Sequence, residues 1–213
     1  MNPANISKIT KKDVLFAIIT GLGTALILIP YLKFIGVSTY VSDTFNIKLN
    51  FLIIIVPILW VFGIWLSYFI GRQISFFKTF GKFAATGFLS TLIDLGILNL
   101  LISSTGYTAG IYFSIFKTIS FLVAFSNSFA WNKFWTFRAG NSGDSTTEIK
   151  KYFAVTLIGV LVNVGIASLV VNTINPFFGL SAQQWANASA ITATIASMFW
   201  NFAGYKLVVF RNK

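Results

Sequence analysis

Hydrophobic residues occur along this chain in six long runs that are separated by short polar stretches. Each run is close to the ~20 residues that an α-helix needs to cross about 30 Å of hydrocarbon. The runs cover residues 14–32, 51–70, 83–102, 111–131, 152–174 and 186–205. The first run is too long for the core of a signal peptide and no small-residue cleavage site follows it, so we expect it to be retained. The pattern predicts an all-α, polytopic membrane protein with six transmembrane helices.

Composition supports lipid as the solvent of this protein. Of its 213 residues 56% are hydrophobic and 10% charged, and the mean hydropathy is +0.79. Soluble domains carry about 25% charged residues, so a soluble globule of this composition would expose large apolar patches. The chain has no Cys and no His and only five carboxylates. These absences exclude thiol nucleophiles, disulfides, Cys/His zinc sites and histidine acid–base catalysis. We therefore expect no catalytic residues, no metal, no cofactor and no enzymatic activity.

The net charge of +11 reports orientation once the basic residues are assigned to loops. The loops on the opposite side of the predicted helices carry only Lys33 and Lys48. Because basic residues concentrate in cytoplasmic loops, we expect both termini in the cytoplasm and no nucleic-acid partner. Thirteen of the 16 basic residues fall on the predicted cytoplasmic side: Lys8, Lys11, Lys12, Arg72, Lys78, Lys82, Lys133, Arg138, Lys150, Lys151, Lys206, Arg211 and Lys213.

The last four predicted helices consist of two similar hairpins, about residues 82–138 and 151–211. Lys82 to Asp94 matches Lys151 to Asn163 at an offset of 69 residues. The ends of the hairpins match at an offset of 73, so the difference of four residues falls within the hairpin and its outer loop. Both hairpins enter and leave on the cytoplasmic side, so the repeats are predicted to be parallel, with any central site at their interface.

The first hairpin ends in the segment Asn-Lys-Phe-Trp-Thr-Phe at residues 132–137, which is the most specific motif of the two hairpins. These motifs resemble those of the GtrA-like family of small multi-pass membrane proteins. The resemblance covers about residues 76–213 as a four-helix domain and leaves residues 1–75 as an added two-helix hairpin. One departure is Ser128, which stands where the family has Asn, with Asn127 one place earlier. The matching residues are Lys82, Phe83, Gly87, Leu92, Ile93, Asp94, Phe129, Asn132, Lys133, Trp135, Phe137, Asn201, Phe202, Lys206 and Phe210.

The resemblance implies a role in cell-surface polysaccharide synthesis or glycosylation. It favours a membrane translocase, or flippase, for a polyprenyl-phosphate-linked sugar in a prokaryotic plasma membrane. Two alternatives stay open at this point. One is a scaffold or accessory subunit of a membrane glycosyltransferase, and the other is a small proton-coupled carrier. The expected partners are a polyprenyl-phosphate-linked sugar, membrane lipids, a membrane glycosyltransferase and a second copy of the chain.

Asp94 and Lys117 are the charges that the pattern places inside the bilayer. Their depths below the predicted outer ends of two adjacent helices are similar, roughly 13 Å and 10 Å, so the spacing predicts a pair. Such a pair either fixes the packing of the hairpin or forms a proton site or a gate for the substrate. The second hairpin has Asn163 and Ala190 at the corresponding positions, which argues against a symmetric charged site.

Two further sets of residues are candidates for substrate contacts. Asn127, Asn163 and Asn201 lie within predicted helices, where amides form interhelical hydrogen bonds or bind sugar hydroxyls. Trp135 falls at a predicted helix end, where indole rings favour the lipid interface. A set of basic residues either binds a lipid phosphate or only sets the topology and reaches anionic headgroups. The set consists of Lys82, Lys133, Arg138, Lys151, Lys206 and Arg211.

Overall fold

The computed structural model describes residues 9–34, 49–136 and 145–204 together with Val208, and these residues form helices and short turns without any strand. A 3-10 turn at Leu49–Phe51 leads into the second helix, and a π-helical turn at Asn132–Thr136 continues the fourth. The predicted all-α class is thereby confirmed. The helices are α1 (Lys11–Phe34), α2 (Leu52–Ile70), α3 (Phe76–Thr105), α4 (Gly110–Trp131), α5 (Ser145–Thr173) and α6 (Ala182–Gly204).

Five of the helices in the described part of the chain are long and apolar enough to cross a membrane. The sixth, α6, has 23 residues but carries many amide and hydroxyl side chains, and it is not among these five. Several of its polar residues, including Asn187, Ser189 and Ser197, are buried within the protein. The chain is thus a multi-pass membrane protein, while the count of six spans and the cytoplasmic termini stay predictions.

Two helices begin with reciprocal side-chain caps that their sequences encode. At the start of α1, Thr10 Oγ1 accepts from the Asp13 backbone N–H at 3.2 Å, and Asp13 Oδ2 accepts from the Thr10 N–H at 3.2 Å. Ser181 and Gln184 form the same arrangement before α6, with bonds of 3.2 and 2.9 Å. A cap of this kind supplies acceptors to N–H groups that the first helical turn leaves unpaired.

The described residues form two compact units. Unit one contains the described residues of 1–92 and 127–138, and unit two contains those of 93–126 and 139–213. The predicted domain boundary at residue 75 is based on the family resemblance and not on contacts between residues, and it stays a prediction.

In unit one, α1 and α2 pack closely around a glycine. A Cβ atom added at Gly21 would lie 2.6 Å from Pro57 Cα and 3.3 Å from Trp60 Cβ, so the absence of a side chain permits the contact. Near it, Ala17, Ile64 and Trp135 form a buried cluster. Small residues at helix contacts let backbones approach, which is a main source of packing energy in membranes.

Replacing Gly21 with alanine is expected to destabilise the α1–α2 hairpin. The added methyl group overlaps backbone atoms of Pro57, and overpacking of this kind costs about 1–3 kcal/mol. Gly63→Ala in α2 is the matched control, because a Cβ there meets nothing within 4 Å. Thermal unfolding in detergent should show a lower midpoint for Gly21→Ala and an unchanged or higher one for Gly63→Ala. Equal midpoints would contradict the close packing.

Candidate functional site

A carboxylate and an ammonium group lie buried between α3 and α4 in unit two. Lys117 Nζ donates to Asp94 Oδ2, and Ser120 Oγ donates to Asp94 Oδ1 at 2.6 Å. Lys117 and Ser120 are 0% exposed and Asp94 is 3% exposed. Asp94 lies eleven residues before the end of α3, roughly 16 Å along the helix, so the pair is far from both helix ends. The predicted pair is therefore present.

This pair leaves donor capacity on the lysine. An ammonium group has three N–H donors. In the described part of the chain, Asp94 is the acceptor that Lys117 uses, and the Phe121 ring centroid lies 6.0 Å from Nζ. Two of the three N–H directions thus have no hydrogen-bond acceptor among the described residues. A buried charge is stable only when it is paired, and Asp94 provides that pairing while leaving Lys117 able to contact a further anion or hydroxyl.

The second hairpin has an uncharged counterpart between α5 and α6. Asn163 is fully buried, and its Nδ2 donates to Ser197 Oγ at 3.0 Å and, more weakly, to Thr194 Oγ1 at 3.5 Å. Its Oδ1 has no donor among the described residues. The side-chain oxygen of Asn201 is likewise buried without a donor in the described structure, and it lies against Gly159.

Two further polar contacts join one hairpin to the other within unit two. Ser114 Oγ of α4 donates to Ser168 Oγ of α5 at 2.7 Å. Asn99 of α3 and Asn187 of α6 exchange amide hydrogen bonds of 2.6 and 2.8 Å. Together with the contacts inside each hairpin, these bonds link α3, α4, α5 and α6 in a closed ring.

Unit one contains a second buried ion pair. Asp13 Oδ1 is 2.7 Å from Lys82 Nζ and accepts a bond of 3.0 Å from the indole N–H of Trp135. Asp13 Oδ2 accepts bonds of 2.8 Å from the hydroxyls of Tyr68 and Thr10. Asp13 is 0% and Lys82 5% exposed. This carboxylate joins the start of α1, the end of α2, the start of α3 and the turn that follows α4.

The predicted contact residues therefore lie in different surroundings. Lys82 is buried in the pair with Asp13, whereas Lys151, its equivalent in the second hairpin, is exposed. Asn127 donates to Ser90 Oγ at 3.0 Å in unit one. The structure does not describe the side chain of Lys133, and Arg138, Lys206 and Arg211 lie outside the described residues.

The pattern of the sequence did not predict Asp13 as the partner of a buried lysine. It placed Trp135 at the lipid interface, but Trp135 is 1% exposed and donates to this carboxylate. The interfacial assignment of Trp135 is wrong because its N–H has a buried acceptor that lies far away in sequence. The available signal was the Thr10–Asp13 spacing, which predicts a capped helix start with a carboxylate at its edge.

Comparisons with known proteins agree with these hairpins. The family model for the GtrA/DPMS transmembrane domain matches residues 82–210. The uncharacterized membrane protein YngA of Bacillus subtilis is 26% identical over 133 residues, which cover 62% of this chain and 80% of that protein. No solved structure matches the chain significantly.

Removing the charge of Lys82 is expected to destabilise the protein strongly. Lys82→Met leaves Asp13 as an uncompensated buried charge, which costs about 3–5 kcal/mol. The double variant Asp13→Asn/Lys82→Met removes both charges and should recover part of the loss. Lys151→Met is the matched control, since that lysine holds the equivalent repeat position but is exposed. Thermal unfolding in detergent measures all four proteins, and equal effects of the Lys82 and Lys151 variants would contradict the pairing.

Proposed function

Because the chain belongs to the GtrA/DPMS transmembrane-domain family, we propose that it moves a polyprenyl-phosphate-linked sugar across the membrane. The family supports involvement in processes that use lipid-linked sugars. The Asp94–Lys117 pair is the observation that carries the step from involvement to translocation. It lies inside the matched domain and places a cation with unused donors deep within two apolar helices.

The pair provides the charge that an anionic lipid headgroup needs in the middle of a membrane. Moving an isolated phosphate through hydrocarbon is costly, as it is for any unpaired charge. Lys117 offers the phosphate a counter-charge, and Asp94 takes the ammonium back when the phosphate leaves. The net charge of the pair is zero without substrate, so the helices around it need no other counter-ion. Ser120 holds Asp94 in place through its other oxygen.

The parallel hairpins supply the second part of this proposal. The Ser114–Ser168 and Asn187–Asn99 bonds occupy equivalent positions, since 114 and 187 differ by 73 and 168 and 99 differ by 69. Two contacts related by the offsets of the sequence repeat support an approximate two-fold axis that runs through the four-helix ring of unit two. Parallel repeats of this kind place a substrate path at their interface.

The exposed Lys151 is the described basic side chain best suited to meet a lipid phosphate at the membrane surface. It stands next to Lys150, which is exposed as well, at the cytoplasmic end predicted for α5. Lysine ammonium groups bind phosphate oxygens as point charges. Lys82 can bind a phosphate only if its ion pair with Asp13 breaks. We therefore assign binding of the lipid phosphate at the membrane surface to the second hairpin.

Neutralising the Asp94–Lys117 pair is expected to abolish transport while the protein stays folded. The double variant Asp94→Asn/Lys117→Gln keeps polar groups but removes both charges, so it avoids an unpaired buried charge. Proteoliposomes that contain a fluorescent polyprenyl-phosphate sugar measure its movement between leaflets. Ser126→Ala on the exposed face of α4 is the control and should transport like the wild type.

Three outcomes separate the proposal from its alternatives. Transport that persists in the double variant would make the pair a packing element. Wild-type protein that moves no lipid but co-purifies with a membrane glycosyltransferase would support a scaffold. Proton coupling through the carboxylate predicts that Asp94→Asn changes the pH dependence of transport, and an unchanged pH profile would contradict it.

A further inference from the structure

Asn163 combines complete burial with an acceptor that no described residue satisfies. Its side chain is 0% exposed in the middle of α5, and its Oδ1 has no donor within the described residues. A buried polar atom without a hydrogen bond is unfavourable and uncommon in native proteins. Its presence therefore calls for a donor that the described residues do not provide.

The orientation of the Asn163 amide follows from its neighbours. Ser197 Oγ donates to the Thr194 carbonyl at 3.1 Å, and Thr194 Oγ1 donates to the Ala190 carbonyl at 2.8 Å. Both hydroxyls have thus spent their protons on the backbone of α6 and only accept from Asn163. Flipping the amide would place two acceptors opposite each other, so the NH₂ group faces the hydroxyls and Oδ1 remains the atom without a partner.

In the first hairpin, the residue equivalent to Asn163 has side-chain donors. Asp94 is equivalent to Asn163, and its oxygens accept from Lys117 and Ser120. The equivalents of these two donors at the offset of 73 are Ala190 and Ala193, which are buried and have no side-chain donor. The second hairpin thus keeps the acceptor at the repeat position but lacks the donors.

A second acceptor lies one helical turn away along the same seam. Asn201 Oδ1 is buried against Gly159, which precedes Asn163 by four residues, or roughly 6 Å along α5. Asn201 itself is partly exposed, so the seam can be reached at that end. Residues 152–204 contain no Asp, Glu, Lys or Arg. The seam therefore favours an uncharged group with several donors.

We propose that the α5–α6 seam at Asn163 and Asn201 binds hydroxyl groups of the sugar on the lipid-linked substrate. The proposal rests on the proposed function for the identity of the carrier lipid. A sugar hydroxyl donates to Asn163 Oδ1, as Lys117 donates to Asp94 in the first hairpin. A second hydroxyl of the same ring reaches Asn201 Oδ1. The neutral seam selects a neutral sugar, since neither an acidic nor an amino sugar finds a counter-charge there.

The test compares binding of a ten-carbon isoprenyl phosphate with binding of its glucosyl and mannosyl esters to protein in nanodiscs. Wild-type protein should bind at least one ester more tightly than the bare phosphate. Asn163→Leu should weaken binding of that ester by about tenfold, the effect of one lost hydrogen bond and its unpaired partner. Binding of the bare phosphate should stay the same in both proteins.

The matched control is Asn187→Leu, which breaks a reciprocal amide pair and removes the Asn187 donor from the buried Asn99 Oδ1. It should lower the midpoint of thermal unfolding, whereas Asn163→Leu should leave the midpoint unchanged or raise it. Equal destabilisation by the two variants would mean that Asn163 Oδ1 is satisfied by a structural water, and it would overturn the proposal. Wild-type binding with no advantage of either ester, or an advantage that survives Asn163→Leu, would overturn it as well.

These measurements are independent of transport. If the ester is preferred through Asn163 but no lipid crosses proteoliposome membranes, the sugar site stands and the translocase function fails. If lipid crosses but Asn163→Leu leaves ester binding intact, the translocase stands and the sugar site fails.

Discussion

The cost of a charge in hydrocarbon governs the interior of this protein. Each buried ion that the structure describes has a partner of opposite sign: Asp13 with Lys82 in unit one and Asp94 with Lys117 in unit two. Each pair connects two different helices, α1 with α3 and α3 with α4, and removing one partner of a buried pair is strongly destabilising. The pairs therefore restrict which helices can be neighbours.

The two pairs differ in how many hydrogen-bond donors surround the carboxylate and in how far the lysine donors are used. Asp13 accepts from Lys82, Trp135, Tyr68 and Thr10, so its donors come from four segments of unit one. That arrangement is typical of a fixed structural element. Asp94 accepts from Lys117 and Ser120, and the lysine keeps donors that the described residues do not use. A partner that is only partly engaged can exchange one anion for another. Both pairs are buried, so burial does not distinguish them. The hydrogen-bond donors that Lys117 has left make Asp94–Lys117 the better candidate for function.

Hydrophobic patterning was sufficient to predict the helices and the Asp94–Lys117 pair. Both follow from local sequence: helix length from apolar runs, and the pair from equal depth in one hairpin. The Asp13 cluster could not be predicted this way because Trp135 lies 122 residues from Asp13, and no local period encodes that contact. The burial of Lys82 escaped prediction for the same reason. A lysine at a helix end looks identical in sequence whether it faces lipid phosphate, as expected, or a carboxylate from another helix.

The repeat explains why the two halves of the four-helix ring need not share one chemistry. Equivalent positions carry Asp94 and Asn163, so an acceptor oxygen is present in both hairpins, while the donors change from Lys117 and Ser120 to alanines. A lipid-linked sugar is itself divided into an anionic phosphate and a neutral polyol. A charged site in one hairpin and a neutral, unsatisfied acceptor in the other match these two parts. Under the proposed function, two identical hairpins would duplicate the contact with one part of the headgroup and leave the other without a partner, so divergence at these few positions fits the proposed substrate.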